Sequence, residues 1–448
     1  MEYRETFAFG QWNTPMAYAL PLFDVKLPLI GLGVWDLALV AAAVLAGLRP
    51  ATWKNRVVAL DLTLLVSLVA ILAWALFGIL RGGDPRQALM QLNALVRLFV
   101  LYFVIHATFR SARDLQRLVL VIGAAALYRA LACLVFFFFV VRGRSISPYP
   151  ESMTDHHDSA LWAVAFLGVA SWVLASRRAR SLLLAAAVGV PLVLAMHYND
   201  RRIAWVEVAG GLALLYVGMS AGRARRAIRR QALTALPLVL LYVAIGWDRT
   251  ERTFAPVQQL RSVLTDTQDE SNDARNLENR GLIVTLQARR LLGTGFGHEF
   301  IEVSTRYSLG MQGFFPNYRY LPHNSLLGLV AFTGVLGFSI IWLFVPASAF
   351  VAARAYPRAR DTQERALSLL AFAVPFVYSA QAFGDMGLQS LKANAILAAS
   401  TAVAARVVVG AGAWSKAPRN YSRTPSARQP GPAAAVSSVP MNRGDAEL

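Results

Sequence analysis

Long apolar runs separated by short connectors constrain this sequence more than any other feature. A helix needs about 20 apolar residues to cross a bilayer, and eleven runs meet or approach that length. In a chain of 448 residues, 56% of them hydrophobic, this pattern excludes a set of soluble domains and predicts an all-α polytopic membrane protein. The runs are residues 30–48, 57–80, 88–109, 115–141, 159–176, 181–197, 202–219, 232–247, 324–353, 366–383 and 388–409.

Arginine and lysine residues concentrate in every second connector, which predicts that these connectors are cytoplasmic. The same pattern explains the formal net charge of +18 better than nucleic-acid binding does, because the basic residues are spread over short connectors and interleave with no aromatic platform. The N-terminus lacks the features of a cleaved signal peptide. If it is cytoplasmic, residues 7–28 must form a twelfth span. The basic connectors are 49–56, 110–117, 177–180, 223–230 and 354–365.

The alternation places one long hydrophilic segment, residues 248–322, on the opposite side, which is the periplasm of a bacterial inner membrane. It contains nine arginines and nine carboxylates and carries no net charge. The predicted organisation is a helix bundle in two parts, 1–247 and 323–409, interrupted by this loop. A Pro-, Ser- and Ala-rich cytoplasmic tail, 410–448, is predicted to be disordered.

Within the loop, the pattern predicts a polar turn at 266–275 and an amphipathic helix at 280–292. Gly293, Gly295 and Gly297 follow, and glycine permits positive φ angles and close backbone approach. Two interpretations remain open for these glycines. They form either a turn after a helix end or a backbone nest that contacts phosphate.

Four arginines are predicted to face the loop side: Arg201 and Arg202 at the start of a span, and Arg275 and Arg280 in the loop. A guanidinium group is permanently charged and matches the geometry of phosphate oxygens, so this set favours diphosphate binding. The alternatives are snorkelling to lipid headgroups for the first pair and surface ion pairing for the second. Candidate partners in such pairs are Glu270, Asp273 and Glu278.

His323 opens the span at 324–353 on the same side. An imidazole accepts a proton near neutral pH, so His323 is a candidate general base, with a structural hydrogen bond as the alternative. Asn324 either orients the ring or caps the helix. Asp385 lies in a connector on this side and is a candidate to orient His323 or to accept a hydroxyl group.

A second polar group, Asp155-His156-His157-Asp158, contains the residue types of a metal site. Adjacent histidines point apart on a helix or a strand, so they fit one ion poorly. The single cysteine, Cys133, excludes an intrachain disulfide. The sequence shows no P-loop, dinucleotide fingerprint or HExxH motif.

Three motifs resemble the O-antigen ligase and O-antigen polymerase superfamily of bacterial envelope glycosyltransferases. The first is the arginine turn at 200–205, and the second is Arg275 followed by the Leu-Leu-Gly-Thr-Gly turn at 291–295. The third is the His-Asn pair at 323–324, followed by Gly334 and Gly337. Together they cover residues 198–340.

The resemblance implies a GT-C-like fold of about twelve spans that transfers a glycan from undecaprenyl diphosphate on the periplasmic face, with neither a metal nor another cofactor. His323 would be catalytic and the arginines would bind the donor diphosphate. A ligase would pass the glycan to lipid A-core oligosaccharide, and this is the favoured expectation. A polymerase would extend a second lipid-linked glycan. Alternatives outside the resemblance are a lipid or solute transporter, for which no interrupted helix is predicted, and a metal-dependent oligosaccharyltransferase using the aspartates near 155–158.

Overall fold

The computed structural model of the chain describes the greater part of residues 34–414. The predicted span at 7–28 and the tail from residue 415 lie outside the described residues. Those that are described form helices and connecting turns, with no strand among them, which confirms the all-α prediction. They are residues 34–143, 153–176, 179–249, 251–254, 257–258, 261, 270–304 and 317–414.

The described ranges contain thirteen α-helices, joined by short turns of 3-10 helix. α4 continues as a π-helix over Phe136–Arg142. In chain order the α-helices are α1 (Val34–Gly47), α2 (Val58–Leu80), α3 (Pro85–Thr108), α4 (Ala112–Val135), α5 (Asp158–Ser176), α6 (Ala179–Tyr198), α7 (Arg202–Gly218), α8 (Arg223–Gly246), α9 (Glu270–Ala288), α10 (Ser325–Ile341), α11 (Phe344–Ala355), α12 (Thr362–Gly384) and α13 (Leu391–Gly410).

Nine segments in the described ranges are long and apolar enough to cross a membrane, which confirms a polytopic membrane architecture. They correspond to nine of the eleven predicted spans. The other two are helical but shorter, with 14 residues in α1 and 17 in α7. At 1.5 Å per residue, α7 is about 25 Å long, slightly less than the thickness of the hydrocarbon core.

The core of the bundle is built around α12 and α13. α13 packs against α3, α11 and α12, while α12 also packs against α5 and α7. Alanine and other small side chains along α13 allow this close approach. In the most apolar part of α13, 78% of the residues are buried, whereas none are buried in the most apolar part of α8. α8 therefore exposes its apolar side chains at the periphery, where lipid would contact them.

The predicted span at 324–353 is not one continuous helix. Gly334, within α10, has φ +65° and ψ 179°, a conformation outside the helical range. A residue with a side chain rarely adopts it. The sequence prediction of an uninterrupted span was therefore wrong, because the apolar run gives no sign of this break.

Backbone groups of the large loop fill the break in α10. The N–H of Val335 donates to the carbonyl of Arg290 at 2.9 Å, and the N–H of Gly295 donates to the carbonyl of Phe332 at 2.8 Å. These bonds satisfy groups that the broken helix leaves without intrahelical partners. The loop is thereby fixed to α10 close to the bundle.

The loop helix also differs from its prediction. α9 spans Glu270–Ala288, so it begins ten residues before the predicted 280–292 helix and includes part of the predicted turn. The glycines after it have φ values of +68°, +87° and +87°, as glycine permits. A Cβ atom on Gly295 would lie 2.3 Å from the Cα of Gly78. The turn therefore serves close packing of the loop on α2 and α10.

The C-terminal end of the described chain is more ordered than predicted. Within the predicted tail, Ala411 and Ala413 continue the hydrogen bonding of α13. The carbonyl of Ala413 accepts from Nε of Arg354 at 2.9 Å, and the Arg354 guanidinium lies over the ring of Trp414. Disorder is therefore a wrong prediction for residues 411–414.

Candidate functional site

His323 is held by a buried carboxylate of the large loop. Its Nδ1 atom lies 2.9 Å from Oε2 of Glu278, whose side chain is 4% exposed, while the His323 side chain is 27% exposed. The other carboxylate oxygen of Glu278 accepts from the backbone N–H of Asn324 at 3.3 Å. When Nδ1 carries the proton of this pair, Nε2 keeps a lone pair and can accept a proton.

Asn324 begins α10 as its N-cap. Its side-chain oxygen accepts from the N–H of Leu327 at 3.0 Å, and its Nδ2 donates to Oδ1 of Asn279 at 3.1 Å. The capping prediction is confirmed. The second bond ties the start of α10 to α9, so two neighbouring residues of α9 hold the His-Asn pair.

Helix geometry distinguishes the two loop arginines. Arg275 is three residues before Glu278 and therefore lies on the same face of α9, one turn away. It is partly buried, whereas Arg280 is exposed and lies about 200° around the helix from Glu278. The structure therefore places Arg275, and not Arg280, on the face that carries Glu278.

Arg201, the N-cap residue of α7, contacts a histidine of the connector before α5. Its Nη2 atom lies 2.8 Å from Nε2 of His156, and Nδ1 of His156 lies 3.2 Å from Oδ2 of Asp385. Arg202, the next residue, is the first of α7 and is partly buried. Asp385 therefore orients His156, and the prediction that it orients His323 was wrong.

The groups around Asp385 stabilise its ionised carboxylate. Burial acts to raise the pKa of this carboxyl, but the hydrogen bonds from His156 and from the backbone N–H of Met386, with the charge of His157, outweigh burial. The pKa of Asp385 is consequently lowered well below its ordinary value. Asp385 is an anion that holds His156 and, through it, Arg201.

Ser325 connects the two histidine sites. Its Oγ atom lies 2.9 Å from the carbonyl oxygen of Ala382 and 3.4 Å from that of Asp385, and it accepts from the N–H of Leu388 at 3.1 Å. Ser325 is two residues after His323. The Glu278–His323 pair and the Arg201–His156–Asp385 series therefore lie at the same end of the bundle.

The remaining polar residues of the 155–158 motif form an ion-pair network. Nζ of Lys392 lies 2.8 Å from Oδ2 of Asp155 and 2.7 Å from Oδ1 of Asp158. Arg129 donates to Oδ2 of Asp158, which is fully buried. The two aspartates thus share an ammonium group, and the part of the chain that the structure describes contains no group of three metal-ligating side chains.

His157 completes this network. Its Nδ1 atom lies 3.0 Å from Oδ1 of Asp155. Burial acts to lower the pKa of His157, but the hydrogen bond and charge of Asp155, with the charge of Asp385, raise it above its ordinary value. Burial acts to raise the pKa of Asp155, but the hydrogen bonds and charges of His157 and Lys392 together outweigh burial and lower it.

A small cleft opens at the start of α10, and His323 itself is not among the residues that line it. Its lining includes Pro322 and Ser325, on either side of the histidine, with Leu329 and Phe332 deeper in α10. Gln91 of α3 adds a polar group. The cleft is therefore mostly apolar, with a polar side chain on its wall, and it lies next to the segment that carries His323.

Sequence reasoning missed three residues of this end of the bundle: Glu278, His156 and Lys392. Glu278 was considered only as an ion-pair partner of an arginine, and His156 only as a metal ligand. A lysine in the first turn of an apolar span is unusual and signals a buried partner, but Lys392 was not singled out.

No family model and no curated protein match this chain. The geometry itself defines what the site can do chemically. It holds an imidazole oriented by a carboxylate, with the partly buried guanidinium groups of Arg201 and Arg275 at the same end of the bundle. Such an arrangement suits proton removal from a hydroxyl group beside a bound anionic group.

Proposed function

We propose that this protein is a glycosyltransferase that moves a glycan from undecaprenyl diphosphate to lipid A-core oligosaccharide, which is the reaction of an O-antigen ligase. The observation that supports it best is the Glu278–His323 pair. A general base needs its ring oriented by a third group, and a buried carboxylate on Nδ1 supplies that orientation.

In the proposed reaction, Nε2 of His323 removes the proton from an acceptor sugar hydroxyl. The oxygen attacks the anomeric carbon of the donor sugar as the bond from that carbon to the phosphate oxygen breaks. Undecaprenyl diphosphate leaves with the electron pair. This single displacement inverts the anomeric centre.

Arg275 and Arg201 are the proposed donor-binding groups. Arg275 lies one turn before Glu278 on α9, and Arg201 is held by His156. Guanidinium groups stabilise the negative charge that develops on the leaving diphosphate. In this proposal Arg202 and Arg280 are secondary, and Asp385 acts on the donor indirectly, through His156 and Arg201.

The proposed setting is a GT-C-like bundle of twelve spans in a bacterial inner membrane, with residues 7–28 as the first span. The basic connectors support a cytoplasmic position for their end of the bundle. By alternation, the large loop and His323 face the periplasm, where a lipid-linked glycan and lipid A-core would meet. The C-terminus would then be cytoplasmic.

Reconstitution of the purified chain tests this function. Proteoliposomes would receive an undecaprenyl-diphosphate-linked glycan together with lipid A-core oligosaccharide, and the products would be separated by electrophoresis and mass spectrometry. We expect glycan on lipid A-core, with only a small residual rate for His323→Ala. An elongated lipid-linked glycan would instead indicate a polymerase, and no covalent product with either acceptor would refute the proposal.

The break in α10 favours a second candidate, a lipid or solute transporter, because interrupted helices are common in transporters. In this protein the backbone of the large loop fills the break. In a transporter the broken helix would instead line a substrate site. The same proteoliposomes distinguish the two functions. Movement of a labelled lipid-linked glycan between leaflets without covalent product would favour transport.

A further inference from the structure

Three arginine side chains gather at the end of the bundle opposite His323. α13 runs from Lys392, beside the candidate site, to Arg406 near its other end. Nε of Arg406 donates to the carbonyl of His106 at 3.1 Å. Nε of Arg110 donates to the carbonyl of the next residue, Ala107. Arg56 pairs with Asp61, which also accepts from the hydroxyl of Tyr102, and the Tyr102 ring stacks on His106. Arg56, Arg110 and Arg406 therefore all lie around the end of α3. We call these three residues the arginine cluster.

The arginine cluster carries more positive charge than its hydrogen-bond partners balance. Arg56 pairs with Asp61 at 2.7 Å and 2.8 Å. In the described ranges, Arg406 and the side chain of Arg110 donate to neutral oxygen atoms, among them Oγ1 of Thr52. Three guanidinium groups and one carboxylate leave an excess of two positive charges.

The nearest other acid in the sequence, Asp114, is engaged elsewhere. Its carboxylate accepts from the backbone N–H groups of Ser111 and Arg110 and completes the capping box of α4. Its ion-pair partner is Arg117, at 3.9 Å. Asp114 therefore does not hydrogen-bond the guanidinium groups of the cluster.

One arginine of the cluster and the neighbouring His106 have buried hydrogen-bonding atoms with no partner among the described residues. The Arg56 side chain is 10% exposed, and its Nη1 atom is buried without an acceptor. His106 is 1% exposed, and both of its ring nitrogens lack a partner. A buried donor without an acceptor costs about 1–3 kcal/mol. An anion with several oxygen atoms would accept from Nη1 of Arg56 and from the one N–H of a neutral His106 ring, and it would also offset the excess charge.

The surroundings place the cluster at the level of lipid headgroups. The Arg56 guanidinium lies over the rings of Trp53 and Phe103, at 5.0 Å and 5.5 Å from their centroids. Trp53 is 59% exposed, and tryptophan concentrates at the membrane–water interface. We propose that the arginine cluster binds the phosphate group of an anionic phospholipid. This site is independent of the proposed glycosyl transfer.

The test uses the full chain in nanodiscs of phosphatidylcholine, with or without phosphatidylglycerol. Thermal unfolding and the phosphatidylglycerol retained in native mass spectra are measured. We expect phosphatidylglycerol to raise the unfolding temperature and to remain bound. Arg406→Gln should lower retention about tenfold, because it removes a charged donor. Arg113→Gln, which changes an exposed arginine at the same end, is the matched control.

The variant Asp61→Asn distinguishes lipid binding by the arginine cluster from a purely structural role of these arginines. Removing the carboxylate increases the positive excess, so retention of phosphatidylglycerol should rise even if overall stability falls. The wild type alone can also overturn the proposal, if its unfolding temperature is the same in nanodiscs with and without phosphatidylglycerol. Stabilisation by inorganic phosphate in phosphatidylcholine discs, with no added effect of phosphatidylglycerol, would overturn the lipid assignment and identify a soluble anion instead.

Discussion

The Nδ1 atom of His323 lies 2.9 Å from Oε2 of Glu278, a residue 45 positions earlier in the chain. Because that carboxylate is almost fully buried, its negative charge acts on the imidazole with little screening by water. The pair joins the start of a bundle helix to the helix of the large loop. The contact between Glu278 and His323 therefore both positions the large loop and orients the imidazole.

We expect Glu278→Gln to lower turnover by about 10²-fold or more, with little change in donor affinity. The amide keeps the size of the side chain but cannot stabilise the imidazolium that forms when His323 takes a proton. Initial rates in the reconstituted assay, measured over a range of donor concentrations, separate the two effects. Glu299→Gln, at an exposed loop carboxylate, is the control.

The double variant Glu278→Gln/His323→Ala should be no slower than His323→Ala, because Glu278 acts only through the imidazole. If Glu278→Gln slowed turnover as much in the His323→Ala background as in the wild type, Glu278 would not act through the imidazole.

Arg275→Ala should weaken donor binding by about tenfold or more, whereas Arg280→Ala should change it little. The reason is their position on α9, since only Arg275 shares the face of Glu278. Retention of a labelled undecaprenyl-diphosphate-linked glycan by each purified variant measures the difference. A larger loss for Arg280→Ala would refute the assignment.

Asp158→Asn should destabilise the folded protein by about 3–5 kcal/mol, because Arg129 and Lys392 would lose a buried anionic partner. The measurement is unfolding in detergent followed by tryptophan fluorescence. Asp248→Asn changes a carboxylate that is 83% exposed and should have little effect. Comparable losses in both variants would show that burial of the network is not the cause.

The network also predicts a pH dependence. The raised pKa of His157 contributes stability that is complete below the ordinary histidine pKa of about 6.5 and is lost as pH rises through the raised value. The lowered pKa values of Asp155 and Asp385 contribute stability above the ordinary value of about 3.9, which is lost only in stronger acid.

The unfolding temperature should therefore fall on the alkaline side of neutrality. In Asp155→Asn, burial of His157 without its carboxylate lowers the pKa of the imidazole. The loss of stability on the alkaline side should then disappear, and stability should instead rise with pH below about 6.5. Parallel pH profiles for the wild type and this variant would contradict the assignment to His157.

Gly334→Ala should destabilise the link between the loop and α10. The φ of +65° is strained for alanine by about 1–3 kcal/mol, and the new Cβ would lie 2.3 Å from the carbonyl oxygen of Leu291. Gly123→Ala, in α4, is the matched control because an added Cβ has nothing within 4 Å. Hydrogen exchange of residues 289–297 should increase in the first variant and remain unchanged in the second.

Much of the helix arrangement could be predicted because its signals are local. Apolar length identified the helices, and Asn324 before an apolar run correctly indicated a cap. The break at Gly334 could not be predicted, since it depends on hydrogen bonds to Arg290 and Leu291 from a distant segment. The start of α9 was misplaced because its first turns are polar and give no periodic apolar pattern.

The sequence by itself determined a polytopic helical protein with arginines and a histidine bordering its spans. The length of an apolar run and the charge of a connector are local properties, so they can be read without knowing the tertiary structure. Only the tertiary structure decided that Glu278 holds His323 and that Asp385, 229 residues from His156, holds that histidine instead. The physical reason is that the strength of a charged pair depends on distance and burial. Both are properties of packed helices, and sequence spacing determines neither.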